Sequence, residues 1–322
     1  MCDTCGCNVT PGNAHLVRGD GKHAKTPDGR AAVEVLASLL GENDHQAAHN
    51  REHFDHHGVL AVNLMSSPGA GKTSLLEATI EALGEELRIA VVEGDLETEN
   101  DAERIRAKGV DAVQIATGSA CHLDAHMVHD ALHRLALDGV DILFIENVGN
   151  LVCPASFDLG QHRNVTLLSV TEGDDKPAKY PVMFRAADLV LLTKCDLLAY
   201  LDDFDPDRAE DALRNLASAV PMQRLSARRG ATQGGVGIGP WLEWLRAEVQ
   251  AQRERVRRGE TQRPNVQPDG ARLHDQAAPA VGHAHHGHGH AHHHGHEHGH
   301  EHGHHHHEHA DHGQAHRPSG GG

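Results

Sequence analysis

The stretch Ser66-Ser67-Pro68-Gly69-Ala70-Gly71-Lys72-Thr73 constrains this chain more than any other. It follows the apolar run Val59 to Met65 and opens the helical pattern Lys72 to Leu83, so a buried strand enters a Gly-rich turn that feeds a helix. That is the setting a phosphate-binding loop requires. Gly69 and Gly71 let backbone N–H groups turn toward phosphate oxygens, Lys72 reaches the outer phosphates, and the Thr73 hydroxyl is placed to ligate magnesium. Ala70 and Ser74 complete the expected contacts. Ser66 departs from the pattern, standing where such loops usually begin with Gly.

The segments that follow extend the site. Arg88 to Asp95 predicts a second buried strand, and Asp95 at its carboxyl end is placed to bind magnesium directly or through water. Val140 to Glu146 predicts another, with Glu146 where an acid bonds magnesium-bound water and Gly149 as a hinge near the terminal phosphate. Lys72, Asp95 and Glu146 are the candidate catalytic residues. Asp188 to Asp196 predicts a strand ending in Thr193-Lys194-Cys195-Asp196. A carboxylate at Asp196 accepts from the N1–H and exocyclic amine of guanine, which selects GTP over ATP, and Lys194 packs over the loop. Thr193 stands where Asn is usual. Met222 to Ala227 predicts the final strand, with Ser226 and Ala227 near the guanine carbonyl. Helical patterns fall at 31–40, 43–57, 97–108 and 241–258. Strand and helix alternate from Val59 onward, which predicts an α/β fold with a mostly parallel sheet, helices on both faces, and nucleotide at the strands' carboxyl ends.

Cysteine and histidine carry a second chemistry. Cys2, Cys5 and Cys7 put three thiols within six residues around Gly6. Soft thiolates select nickel, zinc or copper over magnesium, while a redox Cys-x-x-Cys pair is the alternative reading. Cys121-His122 forms a plausible metal pair that needs more ligands, and Cys153 follows a strand on the same loop-bearing edge. His45, His49, His53, His56 and His57, and then His126, His129 and His133, recur at near-helical spacing and read mostly as solvated faces. The segment from His283 to His316 carries nineteen of the chain's 32 His. Mostly neutral at pH 7, they are ligands for nickel, zinc and copper, and their role is expected to be storage or buffering.

Composition sets limits. The net charge of −17 disfavours nucleic acid as a partner. There is no secretory signal and no apolar run of membrane-spanning length, so the expected location is the cytoplasm. Cysteine spacing argues for thiols and metal ligands rather than disulfides. Three regions are expected: a flexible arm at 1–29, a nucleotide-binding domain at 30–260, and a disordered linker with a His-rich tail at 261–322.

Taken together, Cys-x-x-Cys-Gly-Cys, Ser-Ser-Pro-Gly-Ala-Gly-Lys-Thr, Glu-Gly-Asp, Thr-Gly-x-x-Cys-His-Leu-Asp, Glu-Asn-Val-Gly-Asn-Leu-Val-Cys-Pro and Thr-Glu-Gly-Asp-Asp-Lys-Pro resemble the HypB family of hydrogenase nickel-incorporation GTPases. The resemblance covers about 1–7 and 30–260. It implies a three-layer P-loop NTPase of the SIMIBI type with slow intrinsic GTP hydrolysis. It further implies delivery of nickel to the large subunit of a [NiFe] hydrogenase with a HypA-type zinc-bearing metallochaperone, and GTP-dependent homodimerisation. By the same resemblance Cys2, Cys5 and Cys7 match an N-terminal nickel site, and Cys121, His122 and Cys153 match a dimer-interface site for nickel or zinc. The His run departs from the family, whose members commonly carry it near the N-terminus. Alternatives are a urease-type nickel GTPase resembling UreG, against which the Cys cluster and the Asn147-to-Pro154 block argue, and a nickel or zinc storage protein with vestigial GTPase chemistry.

Overall fold

The computed structural model describes residues 32–95, 100–118, 120–216, 219–228, 237–267 and 270–279, with backbone alone at 32–38 and 275–279. In chain order the elements are α1 Ala32–His57, β1 Leu60–Ser66, α2 Lys72–Leu83, β2 Ile89–Asp95, α3 Asn100–Arg106, β3 Asp111–Ala116, α4 Ala125–Leu132 and β4 Ile142–Glu146. They continue with β5 Arg163–Ser169, α5 Lys176–Lys179, α6 Pro181–Arg185, β6 Leu189–Thr193, α7 Pro206–Leu216, β7 Met222–Arg224, α8 Gly239–Arg257, β8 Glu260–Val266 and β9 Arg272–Pro279.

Strands β1 to β7 form one sheet in the order β3-β2-β4-β1-β5-β6-β7, every pair parallel. Strands covered on both faces need apolar residues at consecutive positions rather than in alternation. This is why β1, β4 and β6 are buried along their whole length, while the edge strands β3 and β7 are partly exposed. Leu75, Leu76 and Leu83 of α2 and Trp241 and Leu245 of α8 pack on one sheet face with Leu60, Val62 and Leu64. On the other face Phe54 of α1 and Val128 of α4 pack with Ala61, Val92 and Leu143, and Phe184 of α6 and Leu213 of α7 pack with Val190 and Leu192. A helix as short as α2 is marginal alone. Its wholly buried Leu75, Leu76 and Leu83 each contribute about 1.5–3 kcal/mol, so packing holds it.

Two sequence expectations are corrected. The helical patterns on either side of Gly41 form one 26-residue helix, because a glycine inside a helix costs only about 1 kcal/mol and the contacts of the second half carry the first turn of the pattern through it. The domain boundary expected at 261 also moves. Strands β8 and β9 pair as an antiparallel hairpin, in place of the expected disordered linker. The hairpin is anchored by polar contacts that hydropathy does not register: Arg272 pairs with Asp44 at 2.8 Å, the Thr261 hydroxyl donates to Asp55 at 2.5 Å, and Arg163 donates to the His274 carbonyl at 3.3 Å. Among the described residues no helix is long and apolar enough to cross a membrane.

Candidate functional site

The loop between β1 and α2 is preshaped for an anion. Gly69 and Gly71 lie at φ 75° and 101°, the left-handed region that suits glycine, and no side chain caps the α2 N-terminus. Its N–H groups and the positive end of the helix dipole therefore remain for a ligand. The Lys72 ammonium donates to the Ser66 hydroxyl at 3.2 Å and lies 3.9 Å from Glu146. Ser66 thus steadies the lysine from the position where a glycine is usual. Ser67 donates to Glu172, tying the loop to the end of β5.

Three acids converge beside Lys72. Glu93 and Glu146 are register partners on adjacent parallel strands, 2% and 3% exposed, and with Asp101 their oxygens lie within 4.8 Å of one another. The Thr73 hydroxyl donates to Glu146 at 3.0 Å. One carboxylate oxygen of each glutamate is buried with no hydrogen-bond partner. Unpaired buried carboxylate oxygens in a group of hard oxygen donors fit a magnesium ion. Asp95, expected to serve this role, lies two residues further along β2, paired in register with Ala116, and is not in this group.

Burial and the neighbouring carboxylates Glu146, Asp95 and Asp101 push the Glu93 carboxyl up to about 8, and burial pushes Glu146 to about 7 against the pull of Lys72. Both folded-state values lie above the ordinary 4.5. The folded protein therefore holds more protons than the unfolded chain between about pH 4.5 and 8, and stability of the ion-free protein falls as pH rises through that window. Urea midpoints measured in chelator should fall across it, and fall less steeply in Glu93→Gln. Identical slopes in the two proteins would refute the raised values.

Past the loop, a cavity of about 600 Å³ is lined by Ala70, Gly71, Ser74, Lys194, Asp196, Ser226, Ala227 and their neighbours. Ser226 donates to Asp196 at 2.7 Å, and Lys194, at a left-handed φ of 59°, donates to the Gly69 carbonyl at 2.7 Å. Thr193 donates to the Ala70 carbonyl at 2.8 Å, so the residue that departs from the usual Asn still ties the end of β6 to the phosphate loop.

Cys121, His122 and Cys153 come together on the same edge of the sheet. The two sulfurs lie 3.2 Å apart, His122 Nδ1 is 3.7 Å from Cys121 Sγ, and all three ligand atoms fall within 4.8 Å. His122 packs against Phe157 with ring centroids 4.0 Å apart and planes tilted by 35°, and burial lowers its pKa, favouring the neutral imidazole that binds metals. Two thiols and an imidazole suit nickel or zinc.

This thiol site is wired to the phosphate loop. A Cβ at Gly149 would come within 2.8 Å of the Pro68 backbone, so only glycine fits there. The next residue, Asn150, donates to the Cys121 carbonyl at 3.2 Å and accepts from Val152 N at 2.8 Å, beside Cys153. Asn147 accepts from Leu123 N at 3.1 Å and donates to Asn63 of β1 at 3.3 Å.

Cys2, Cys5, Cys7 and the His-rich segment lie outside the described residues. Sequence reading misses Glu93, Asp101, Asn147 and Asn150. The available signal for Glu93 is an acid directly after the apolar run 89–92, two places before Asp95. The asparagines carry none, since their partners lie in distant segments.

Comparison with known proteins places this geometry. The model of the family described as "CobW/HypB/UreG, nucleotide-binding domain" matches residues 60–223. "Hydrogenase maturation factor HypB" of Azotobacter vinelandii is 51% identical over 255 residues, covering 76% of this chain and 82% of the relative. The protein of the same name from Escherichia coli K12 is 48% identical over 238 residues, covering 74% of this chain and 80% of the relative. The crystal structure of HypB from Helicobacter pylori in complex with nickel superposes with a TM-score of 0.58 at 40% identity, covering 67% of this chain and 96% of that one. The parallel sheet, the phosphate loop and this extent of identity together make the chain a member of the HypB family of hydrogenase maturation factors.

Proposed function

We propose that this protein binds and hydrolyses GTP and that the nucleotide state governs a nickel ion held by Cys121, His122 and Cys153, for insertion into the large subunit of a [NiFe] hydrogenase. The observation that carries this reading is the Pro68–Gly149–Asn150–Cys121 chain of contacts, which joins the phosphate loop to the thiol pair. The backbone N–H groups of Gly69 to Thr73 and the Lys72 ammonium hold the phosphates, with Ser74 at the cavity wall. Asp196 accepts from the guanine edge, Ser226 and Ala227 line the carbonyl side, and Lys194 covers the base.

Thr73, Glu146 and Glu93 are the residues that would hold magnesium, with Asp95 at the strand end reached through water. Magnesium, when bound, neutralises charge on the phosphate oxygens. Glu146 and Glu93 supply the counter-charge, and Lys72 stabilises the charge that develops on the outer phosphate.

At the thiol site three ligands leave a nickel or zinc shell incomplete, and a second copy of the chain facing the first would complete it. The GTP-dependent homodimerisation that the family resemblance implies would bring the two copies together. A HypA-type metallochaperone and the hydrogenase large subunit are the expected partners in the cytoplasm, and Cys2, Cys5 and Cys7 an upstream nickel site. The urease-type reading has less support, since the matched relatives quoted above are hydrogenase maturation factors.

Nickel titration of a Cys2/Cys5/Cys7→Ser chain tests the coupling, once with a non-hydrolysable GTP analogue and once with GDP. The same chain also carrying Cys153→Ser supplies the background from the His-rich segment. Useful release requires affinities that differ by about tenfold, or about 1.4 kcal/mol. Equal affinities in the two nucleotide states would refute it.

A further inference from the structure

Nickel handling by the thiol site leaves unexplained a second group of ligands on the other side of α4. Helix α1 presents His49, His53 and His57 at successive i, i+4 positions, and α4 with its C-cap presents His129 and His133 at the same spacing. Residues four apart lie on one face of a helix, one turn above the other. The two helices pack so that these faces meet. The His49 and His129 rings are 5.0 Å apart between centroids, His129 and His133 4.7 Å, and His53 and His57 4.8 Å.

Hydrogen bonding determines which ring nitrogens are free. The Asn50 amide nitrogen donates to the carbonyls of Ala125 at 2.8 Å and Leu159 at 3.1 Å, which turns its oxygen toward His129 Nδ1 at 3.2 Å. An amide oxygen only accepts, so His129 Nδ1 carries the proton and its Nε2 is an acceptor. His133 Nε2–H donates to it at 3.2 Å, and an arriving ion takes the place of that proton once the neutral His133 ring carries its hydrogen on Nδ1 instead. Two nitrogens each about 2.0–2.1 Å from one ion are separated by about 2.9–3.4 Å at octahedral or tetrahedral angles, so the spacing found is that of a bidentate pair. The same logic applies at His57, whose Nδ1 lies 3.0 Å from Asp138, a carboxylate orienting the ring as carboxylates do behind metal-bound imidazoles. His53 Nδ1 is buried with no hydrogen-bond partner. Burial and mutual repulsion keep His53 and His129 below the usual imidazole range, so both are uncharged at neutral pH.

We propose that the seam between α1 and α4 is a binding site for a borderline divalent transition ion such as nickel or zinc. His129 and His133 form its chelating pair, and His49, exposed and packed edge-on against His129, turns its ring to supply the third nitrogen. Water completes the shell. Imidazole alone, with no hard anionic oxygen in the set, excludes magnesium and calcium. The site is distinct from the thiol pair and independent of the nucleotide reading. Its position does connect the two: α4 begins at Ala125, three residues after His122, and the Asn50 that orients His129 also holds the Ala125 carbonyl. An ion on the seam therefore rests on the same helix whose entry carries the thiol-site imidazole.

Carbethoxylation of the full chain by diethylpyrocarbonate, read by peptide mass spectrometry, tests this with nickel chloride added beyond what the His-rich segment absorbs. Only the ion-free fraction reacts, so at about ten times the dissociation constant, modification of His49, His129 and His133 should slow about tenfold. His45 and His126, exposed on the same helices and without ring contacts to the group, should react at unchanged rates. In a chain carrying His129→Gln and His133→Gln, with an unchanged urea unfolding curve showing that it folds, nickel should no longer protect His49. Protection at His49, His129 and His133 no greater than at His45 and His126 would overturn the proposal, as would protection of His49 that survives the double substitution.

Discussion

Lys72→Ala is expected to lower GTP turnover by about a hundred- to a thousandfold, the usual loss when one preorganised charge aimed at a developing anion is removed. Lys72 is 8% exposed, hydrogen-bonded to Ser66 and 3.9 Å from Glu146, so its position is set before any ligand arrives. Its loss also acts on the acids. Lys72 is the main influence holding the buried Glu146 carboxyl down, so without it that carboxyl gains a proton more readily and meets a cation less well. The defect should therefore shrink as pH rises toward 8 and above, where Glu146 ionises regardless. Phosphate release measured across that range, beside an unfolding curve that shows the fold intact, checks both parts. Unchanged turnover would leave metal storage with vestigial nucleotide chemistry as the better account of the chain.

Arg51→Ala carries the largest expected cost in stability, about 3–5 kcal/mol, because it strands a buried carboxylate. Arg51 Nη2 lies 2.8 Å from both oxygens of Asp158, and the two residues are 4% and 2% exposed. Burial alone would raise the Asp158 pKa, but the Arg51 guanidinium and the surrounding cations hold it below the ordinary carboxylate value. A lowered folded-state pKa supplies stability above the unfolded value that is lost as pH falls. In the variant Asp158 can take up a proton, which caps the penalty, so the destabilisation should be smaller near pH 5 than near pH 8. Arg51→Met combined with Asp158→Leu should recover most of it, since removing both partners leaves no unpaired charge. Urea denaturation of the three proteins decides the matter. A loss under about 1 kcal/mol for Arg51→Ala would place the pair with exposed bridges such as Arg246 and Glu86.

Both residues show how far a single sequence reaches. Lys72 is legible at once, because its role depends on neighbours within the same strand, turn and helix. Arg51 is one charged residue among many on a helical face, and its partner lies 107 positions away. The acidic trio behaves like Arg51. Asp95 has the better position by motif, at the end of an apolar run. Glu93 has the better position in space, because the parallel register of β2 against β4 sets it directly beside Glu146.

What the sequence by itself determined is whatever is encoded within one element and its flanking turn: the phosphate loop, the alternation of buried strands with helices, the acid Asp196 just past the end of β6, and the clusters of thiols and imidazoles. Only the tertiary structure decided which of those groups meet. It placed Cys121 and Cys153 3.2 Å apart across 32 residues, gave Thr193 the task of holding the loop, carried the fold on into the β8–β9 pair, and turned two ordinary polar helix faces into an imidazole seam. The reason is physical. Periodicity along the chain records which way a side chain points, while strand register and helix packing set what it points at, and these depend on contacts far apart in the chain.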